Sequence, residues 1–388
     1  MAMTPAPQPS DADSFSLRAA LFYVSLLIVT GIQVPFFPLW LEAKALEPTA
    51  VAIVVAAPML VRVIAAPLVT RAADRIGAFR GTLVCISAAS TLIYVAIAGI
   101  NSALMILLSV SVAAFFFTPI GSLADAYTIK GAEQRGVTYG RVRLWGSVAF
   151  VLANLGGGLL LHLVAAGDLI WLIVAALALM SLAALALRPL DLATQPADDG
   201  AVTAGSFKWT TSFVCVVLGA SLVQASHAIF YSFSAVHWTN IGFDGITVGA
   251  LWALGVSAEV VLFAFAGRIF GAVQPVVLIA FGAAGALTRW IGMAFDPPIV
   301  LLAALQLLHA LSFGATHLGS VQFVARAASH SSAASAQGYF AMIQSSLGGI
   351  VTMTSGILYA QTGEHSYLFM AALAAFGGLL VLVRTQSR

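Results

Sequence analysis

Thr70-Arg71-Ala72-Ala73-Asp74-Arg75-Ile76-Gly77-Ala78-Phe79-Arg80 stands between two apolar runs, at about 49–70 and 81–100. Each run has the roughly 20 residues that a transmembrane helix needs. The charged segment therefore reads as a short connection between two membrane spans. Outward from it the same pattern repeats, with runs at about 17–41, 102–126, 137–163 and 168–187. After a polar break come runs at about 210–236, 245–267, 274–295, 297–325, 335–360 and 366–384. Twelve spans take about 240 residues, which leaves tails and short connections from a chain of 388.

Composition agrees with that count. The chain is 61% apolar and 8% charged, against about 25% charged in soluble proteins. It cannot cover a water-facing surface of its size, which excludes a soluble enzyme or a nucleic-acid binder. Net charge is +2 with no basic run, so no polyanion is a partner. Cys85 and Cys215 lie in separate apolar runs; buried free thiols are expected, with neither a disulfide framework nor a metal motif. The expected fold is an all-α membrane protein with twelve transmembrane helices in two six-helix halves.

The longest polar stretch, Arg188 to Trp209, holds Thr194-Gln195-Pro196-Ala197-Asp198-Asp199-Gly200 and divides six spans from six. The expected organisation is a disordered leader over 1–16, a first bundle over 17–187, a flexible linker over 188–209, a second bundle over 210–384 and a tail over 385–388. The leader carries no Lys or Arg before Arg18, unlike a secretory signal. With the N-terminus inside, thirteen of the 17 lysines and arginines fall on cytoplasmic segments, and only Lys44 falls outside. Basic residues mark the cytoplasmic side, so both termini are expected there, with the linker cytoplasmic and the connection after span 1 outside.

The two halves carry matching landmarks. Arg75 after span 2 corresponds to Arg268 after span 8, and Gly140 in span 5 to Gly338 in span 11. Both offsets are close to half of the chain, the mark of parallel repeats in a transporter architecture. Twelve spans, a central linker and Asp74-Arg75-Ile76-Gly77-Ala78-Phe79-Arg80 resemble the major facilitator superfamily. That resemblance implies a gating motif of Asp74, Arg75, Gly77 and Arg80, clamping helix ends across the halves. The glycine that usually opens the motif is absent, with Thr70-Arg71 in its place. A narrower resemblance rests on Pro35-Phe36-Phe37-Pro38-Leu39-Trp40-Leu41, Tyr139-Gly140-Arg141-Val142-Arg143-Leu144-Trp145-Gly146-Ser147, Leu251-Trp252-Ala253-Leu254-Gly255-Val256-Ser257-Ala258-Glu259 and Gln306-Leu307-Leu308-His309-Ala310. These are similar to the 3-phenylpropionate permease family, a relative of the lactose permease type of proton symporter. The resemblance implies proton-coupled uptake across a bacterial inner membrane.

Charges inside spans are costly, about 2.5–3.5 kcal/mol each on insertion scales, and mark function or pairing. Arg62 lies in span 2, Asp125 and Arg143 on the consecutive spans 4 and 5, Glu259 in span 8 and Arg289 in span 9. Asp125 and Arg143 can hold each other as a structural ion pair. Alternatively Arg143 offers its planar fork to a substrate, the role that the lactose permease resemblance implies for both. Glu259 has no basic residue at i±3 or i±4 and is the expected proton carrier, with Arg289 as its switching partner. His227, His309 and His317 are candidate proton relays or satisfied polar core. The resemblance implies a proton-handling His in span 10 followed by a Glu; Ser312 and Ser320 stand at that spacing, which throws the coupling onto Glu259.

Phe36, Trp145, Tyr231 and Trp252 flank these polar residues and are candidates to stack a substrate ring. Five prolines, Pro35, Pro38, Pro58, Pro67 and Pro119, should bend spans. The function expected is symport of a small organic solute, an aromatic carboxylate for example, with the proton as coupling ion and no other cofactor, metal or catalytic residue. A sugar or nucleoside symporter, an efflux carrier and a non-transporting assembly factor are the alternatives. No Walker-type loop supports ATP drive, and no enzyme signature is present. The lipid bilayer is the expected partner and a monomer the expected state.

Overall fold

The structure, a computed structural model, describes residues 9–190, 209–328 and 332–383. Residues 1–8 of the expected leader, most of the linker and the tail lie outside the described residues; residues 9–16, expected to be disordered, are helical and open α1. The first half consists of α1 (Pro9–Ala43), α2 (Pro48–Ile76), α3 (Phe79–Ala98), α4 (Ala103–Phe117), α5 (Ile120–Arg135), α6 (Tyr139–Leu160) and α7 (Leu169–Ala186). The second holds α8 (Thr211–Ala225), α9 (Ala228–Asn240), α10 (Gly245–Phe270), α11 (Pro275–Met293), α12 (Ile299–Leu307), α13 (Thr316–Ala327), α14 (Ala333–Thr362) and α15 (Ser366–Val383).

Eleven helical stretches among the described residues are long and apolar enough to cross a membrane; the last, Ser335–Val383, runs to 49 residues. That length is two spans. α14 and α15 are joined by a 3-10 turn, Gly363–His365, where Gly363 takes a φ of 54°. Twelve crossings result. Large apolar side chains such as Leu92, Leu182, Val300 and Leu379 stand exposed on the flanks, the surface a bilayer covers. Cys85, expected buried, is exposed too, because lipid and not protein covers that face of α3.

Three spans are interrupted. Pro119 has no N–H to donate, so α4 ends there and α5 restarts behind it. The other four prolines ride inside continuous helices, α1 and α2. Between α8 and α9, Ser226 donates to the Val223 carbonyl at 2.6 Å and His227 Nδ1 to that of Gln224 at 3.1 Å. These side chains compete for helix carbonyls. Between α12 and α13, Ala310–Ala315 widens into a π-helix, a form often found at functional sites.

The halves meet at one end of the molecule. There α6 approaches α10 so closely that a Cβ on Gly158 would strike the Gly245 carbonyl, and α14 approaches α2 so closely that a Cβ on Gly356 would lie 2.6 Å from the Pro48 carbonyl oxygen. Asn240 donates to Glu42 at 3.0 Å across the halves. Asp244, which caps α10 by accepting from the Thr247 N–H at 2.8 Å, lies 3.9 Å from His162 of the first half. Hydrogen bonding from the Thr247 hydroxyl, together with that cap bond, holds the Asp244 carboxyl below its ordinary range. Toward the opposite end, marked by Asp74, the same helices part, and Arg143, Ser147 and Phe150 on α6 and Val256, Glu259 and Phe263 on α10 line the space between them.

Candidate solute-binding cavity

The splayed halves enclose a cavity of about 800 Å³, ample for a small solute. Arg62, Asp125 and Arg143 line it from the first half, and Tyr231, Trp252, Glu259 and His309 from the second. Both the Pro119 break and the π-helix border it, through Thr118 and Phe313. Unwound backbone in a transporter-like bundle is tolerated where it lines a cavity.

In the first half the expected ion pair does not form. Asp125 Oδ1 accepts from the hydroxyls of Tyr23 at 2.6 Å and Tyr139 at 2.8 Å. Two phenol donors satisfy the carboxylate with charge-assisted bonds. Arg143 lies over the Tyr23 ring, 5.3 Å from its centroid, and has no carboxylate partner among the described residues; nor does Arg62. One wall of the cavity therefore presents two guanidinium groups that make no ion pair among the described residues. Gln33 donates to the Tyr94 hydroxyl on the same wall. These two were missed in the sequence, although each is an isolated polar residue within an apolar run.

The second half orders its charges in a row. Glu259 Oε2 is 3.4 Å from His309 Nε2. The other ring nitrogen, Nδ1, is 2.9 Å from Arg289 Nη1. Arg289 Nη2 donates to Gln306 Oε1 at 2.6 Å. Arg289 is 0% exposed, so His309 separates it from Glu259 and the direct Glu259–Arg289 pairing expected from sequence is absent. The faces of Phe230 and Trp290, 4.3 and 4.7 Å away, offset part of its burial by cation–π attraction. Gln306 precedes His309 by three, on one helix face; that spacing was the available signal for it.

The remaining candidates lie farther off. His227 is fully buried behind the wall, its ring centroid 5.6 Å from that of His309. His317 stacks on Phe313 at 6.1 Å and makes no hydrogen bond among the described residues. Tyr231 and Trp252 line the cavity, with Trp252 stacked on Phe230 at 4.5 Å. Phe36 packs on Gly157, and Trp145 is 59% exposed. Neither lines the cavity: one faces the α1–α6 contact and the other points outward. Phe117, Phe150 and Phe313 take that place.

The Asp74 segment is a turn within the first half. Asp74 pairs with Lys130 at 3.4 Å, Gly77 ends α2 in the left-handed conformation, and Arg80 donates to the carbonyls of Leu187 and Leu185 at 2.6 and 2.9 Å. Arg75 is exposed. In this open conformation these contacts join α2 to α5 and α3 to the end of α7, not the two halves. At the Glu42 end, one donor atom each of His237, Asp296 and Glu364 lie within 4.8 Å of one another, a spacing that could hold a metal, and His237 donates to Asp296 at 2.6 Å.

Comparison with known proteins places the whole chain. A family model described as "MFS_1 like family" matches residues 16–371. The chain is 29% identical over 371 residues to the Escherichia coli (strain K12) protein described as "Probable 3-phenylpropionic acid transporter", covering 92% of this chain and 94% of that one. It is 26% identical over 380 residues to the maltose permease of Geobacillus stearothermophilus, covering 95% and 94%. The crystal structure of the nucleoside transporter NupG superposes with a TM-score of 0.83 at 14% identity, covering 96% of this chain and all of the other.

Proposed function

This chain belongs to the MFS_1 like family of membrane transporters, and from that premise we propose that it takes up a small aromatic carboxylate together with a proton. One observation carries the reading: a single cavity sets the unpaired guanidiniums of Arg62 and Arg143 opposite Tyr231, Trp252 and Phe313. A guanidinium fork matches a carboxylate bidentately, and the facing rings suit the other end of such a solute. The relative named for 3-phenylpropionic acid supports the same chemistry.

Glu259 supplies the proton site. It lines the cavity beside His309, where it can exchange with cavity water. Desolvation favours the neutral carboxyl and a nearby cation the ionised one, so alternating access moves Glu259 between the two conditions. Basic residues crowd the Asp74 end, which makes that end cytoplasmic and the cavity of this structure inward-facing. The protein works as a monomer in a bacterial inner membrane.

A sugar is the second reading. Asp125 with its two tyrosines and the Gln33–Tyr94 pair offer hydroxyl-binding groups on the same wall, and one relative is a maltose permease. Thermal-shift titration of the purified protein separates the readings. 3-Phenylpropionate should stabilise it, while 3-phenyl-1-propanol, maltose and uridine should not. Stabilisation by maltose or uridine alone would replace the aromatic acid as substrate.

A further inference from the structure

Arg289 settles which proton His309 carries. A guanidinium has five N–H donors and no acceptor, and it keeps its proton in proteins. At 2.9 Å from Arg289 Nη1, His309 Nδ1 can only accept. An accepting nitrogen bears no hydrogen, so the ring hydrogen sits on Nε2, the nitrogen that faces Glu259 Oε2 at 3.4 Å. A second proton on the ring would have to enter at Nδ1, where the guanidinium already points a hydrogen.

We infer that Arg289 is a positioning residue that locks His309 in the neutral tautomer with its Nε2–H on the side of Glu259, so that His309 steers the coupled proton but never carries it. The row from Gln306 to Glu259 then has a direction. Gln306 braces Arg289 through Nη2 at 2.6 Å, Arg289 fixes the ring, and the ring turns its hydrogen toward the carboxylate 3.4 Å away. The proton that crosses with the solute binds a Glu259 oxygen from cavity water and leaves the same way.

The neighbouring titratable groups fit this arrangement. His227 is fixed in the opposite tautomer: Nδ1 donates to the Gln224 carbonyl at 3.1 Å, leaving Nε2 to accept from the Ser312 hydroxyl at 3.1 Å. Its neighbour Tyr231 lines the cavity beside Glu259. His317 stacks against Phe313 and Phe263 and has no such lock. Across the cavity stand Arg62, Arg143 and the tyrosine-bound Asp125, none of them in contact with the His309 ring.

The functional meaning of the lock rests on the symport reading, but its test needs no substrate. Nitrogen-15 spectra of histidine-labelled protein in nanodiscs report each ring nitrogen as protonated or bare, and His309→Gln assigns the His309 signals. The expected result is a bare Nδ1 and a protonated Nε2, unchanged between about pH 5 and 8, the window in which histidine normally titrates. Arg289→Gln should free the ring, and its nitrogens should then shift with pH. Arg289→Lys, another pure donor, should restore the bare Nδ1. If Arg289→Gln does not fold, Gln306→Met removes the brace, along with the weak Gln306 contact to Met293 Sδ, leaves Arg289 in place and should partly release the ring. A protonated Nδ1 or a charged ring near pH 6 in the unaltered protein overturns the inference, whatever the protein transports.

Discussion

Arg143 shows how far a residue's neighbours decide its chemistry. Its sequence position next to Asp125 in the fold suggested an ion pair, but Tyr23 and Tyr139 take the carboxylate. Tyr23 comes from α1, far away in sequence, so no local spacing could announce it. The guanidinium is left facing the cavity with the Tyr23 ring beneath it. Arg143→Lys keeps the charge and loses the planar fork, so affinity for 3-phenylpropionate should fall at least about tenfold, roughly 1.4 kcal/mol, by thermal-shift titration. Asp125→Asn keeps an oxygen that accepts from the tyrosines and should lower affinity less. Unchanged affinity in Arg143→Lys would leave the residue a packing role only. Glu259 is the converse case. Its depth in an apolar span was legible, but its true neighbour, His309, comes from a helix two spans later.

Among the elements, the Asp74–Arg80 turn was the most legible and the least like its expected use. Gly77 takes a φ of 67°, its N–H closes on the Asp74 carbonyl at 3.3 Å, and a Cβ there would meet nothing within 4 Å. The requirement is thus conformational and not steric. Gly77→Ala should destabilise by about 1 kcal/mol, read as a lower midpoint of thermal unfolding; an unchanged midpoint would contradict the cap. The Asp74–Lys130 pair is 60% exposed at Asp74 and 41% at Lys130, and exposed pairs contribute about 0–1 kcal/mol. Asp74→Asn should therefore leave stability nearly unchanged in this conformation. The interruptions in spans 7 and 10 were not legible. Neither contains a proline; they follow from side chains that bind carbonyls and from a local π-helix, which hydrophobic periodicity does not record.

For the whole molecule, length, apolar runs and basic residues were enough to reach twelve spans in two halves, because each is a local or additive property of the chain. Which end is closed was not readable, because it depends on contacts between residues such as Gly158 and Gly245. Those glycines hold the halves together at the Glu42 end, where a side chain cannot fit. Gly158→Val should force that end apart, and spin labels at positions 42 and 240 should then report a longer distance; an unchanged distance would mean that the contact does not set the conformation. In the proposed cycle, alternating access joins this closed end to the charge row at Glu259. The central claim is that the protein couples solute movement to a proton on Glu259. Proteoliposomes loaded with 3-phenylpropionate test it through Glu259→Gln, which keeps the shape of a protonated carboxyl but cannot release a proton. The variant should lose uphill accumulation driven by a pH gradient and retain exchange of internal for external solute. Normal uphill accumulation by Glu259→Gln would contradict the account.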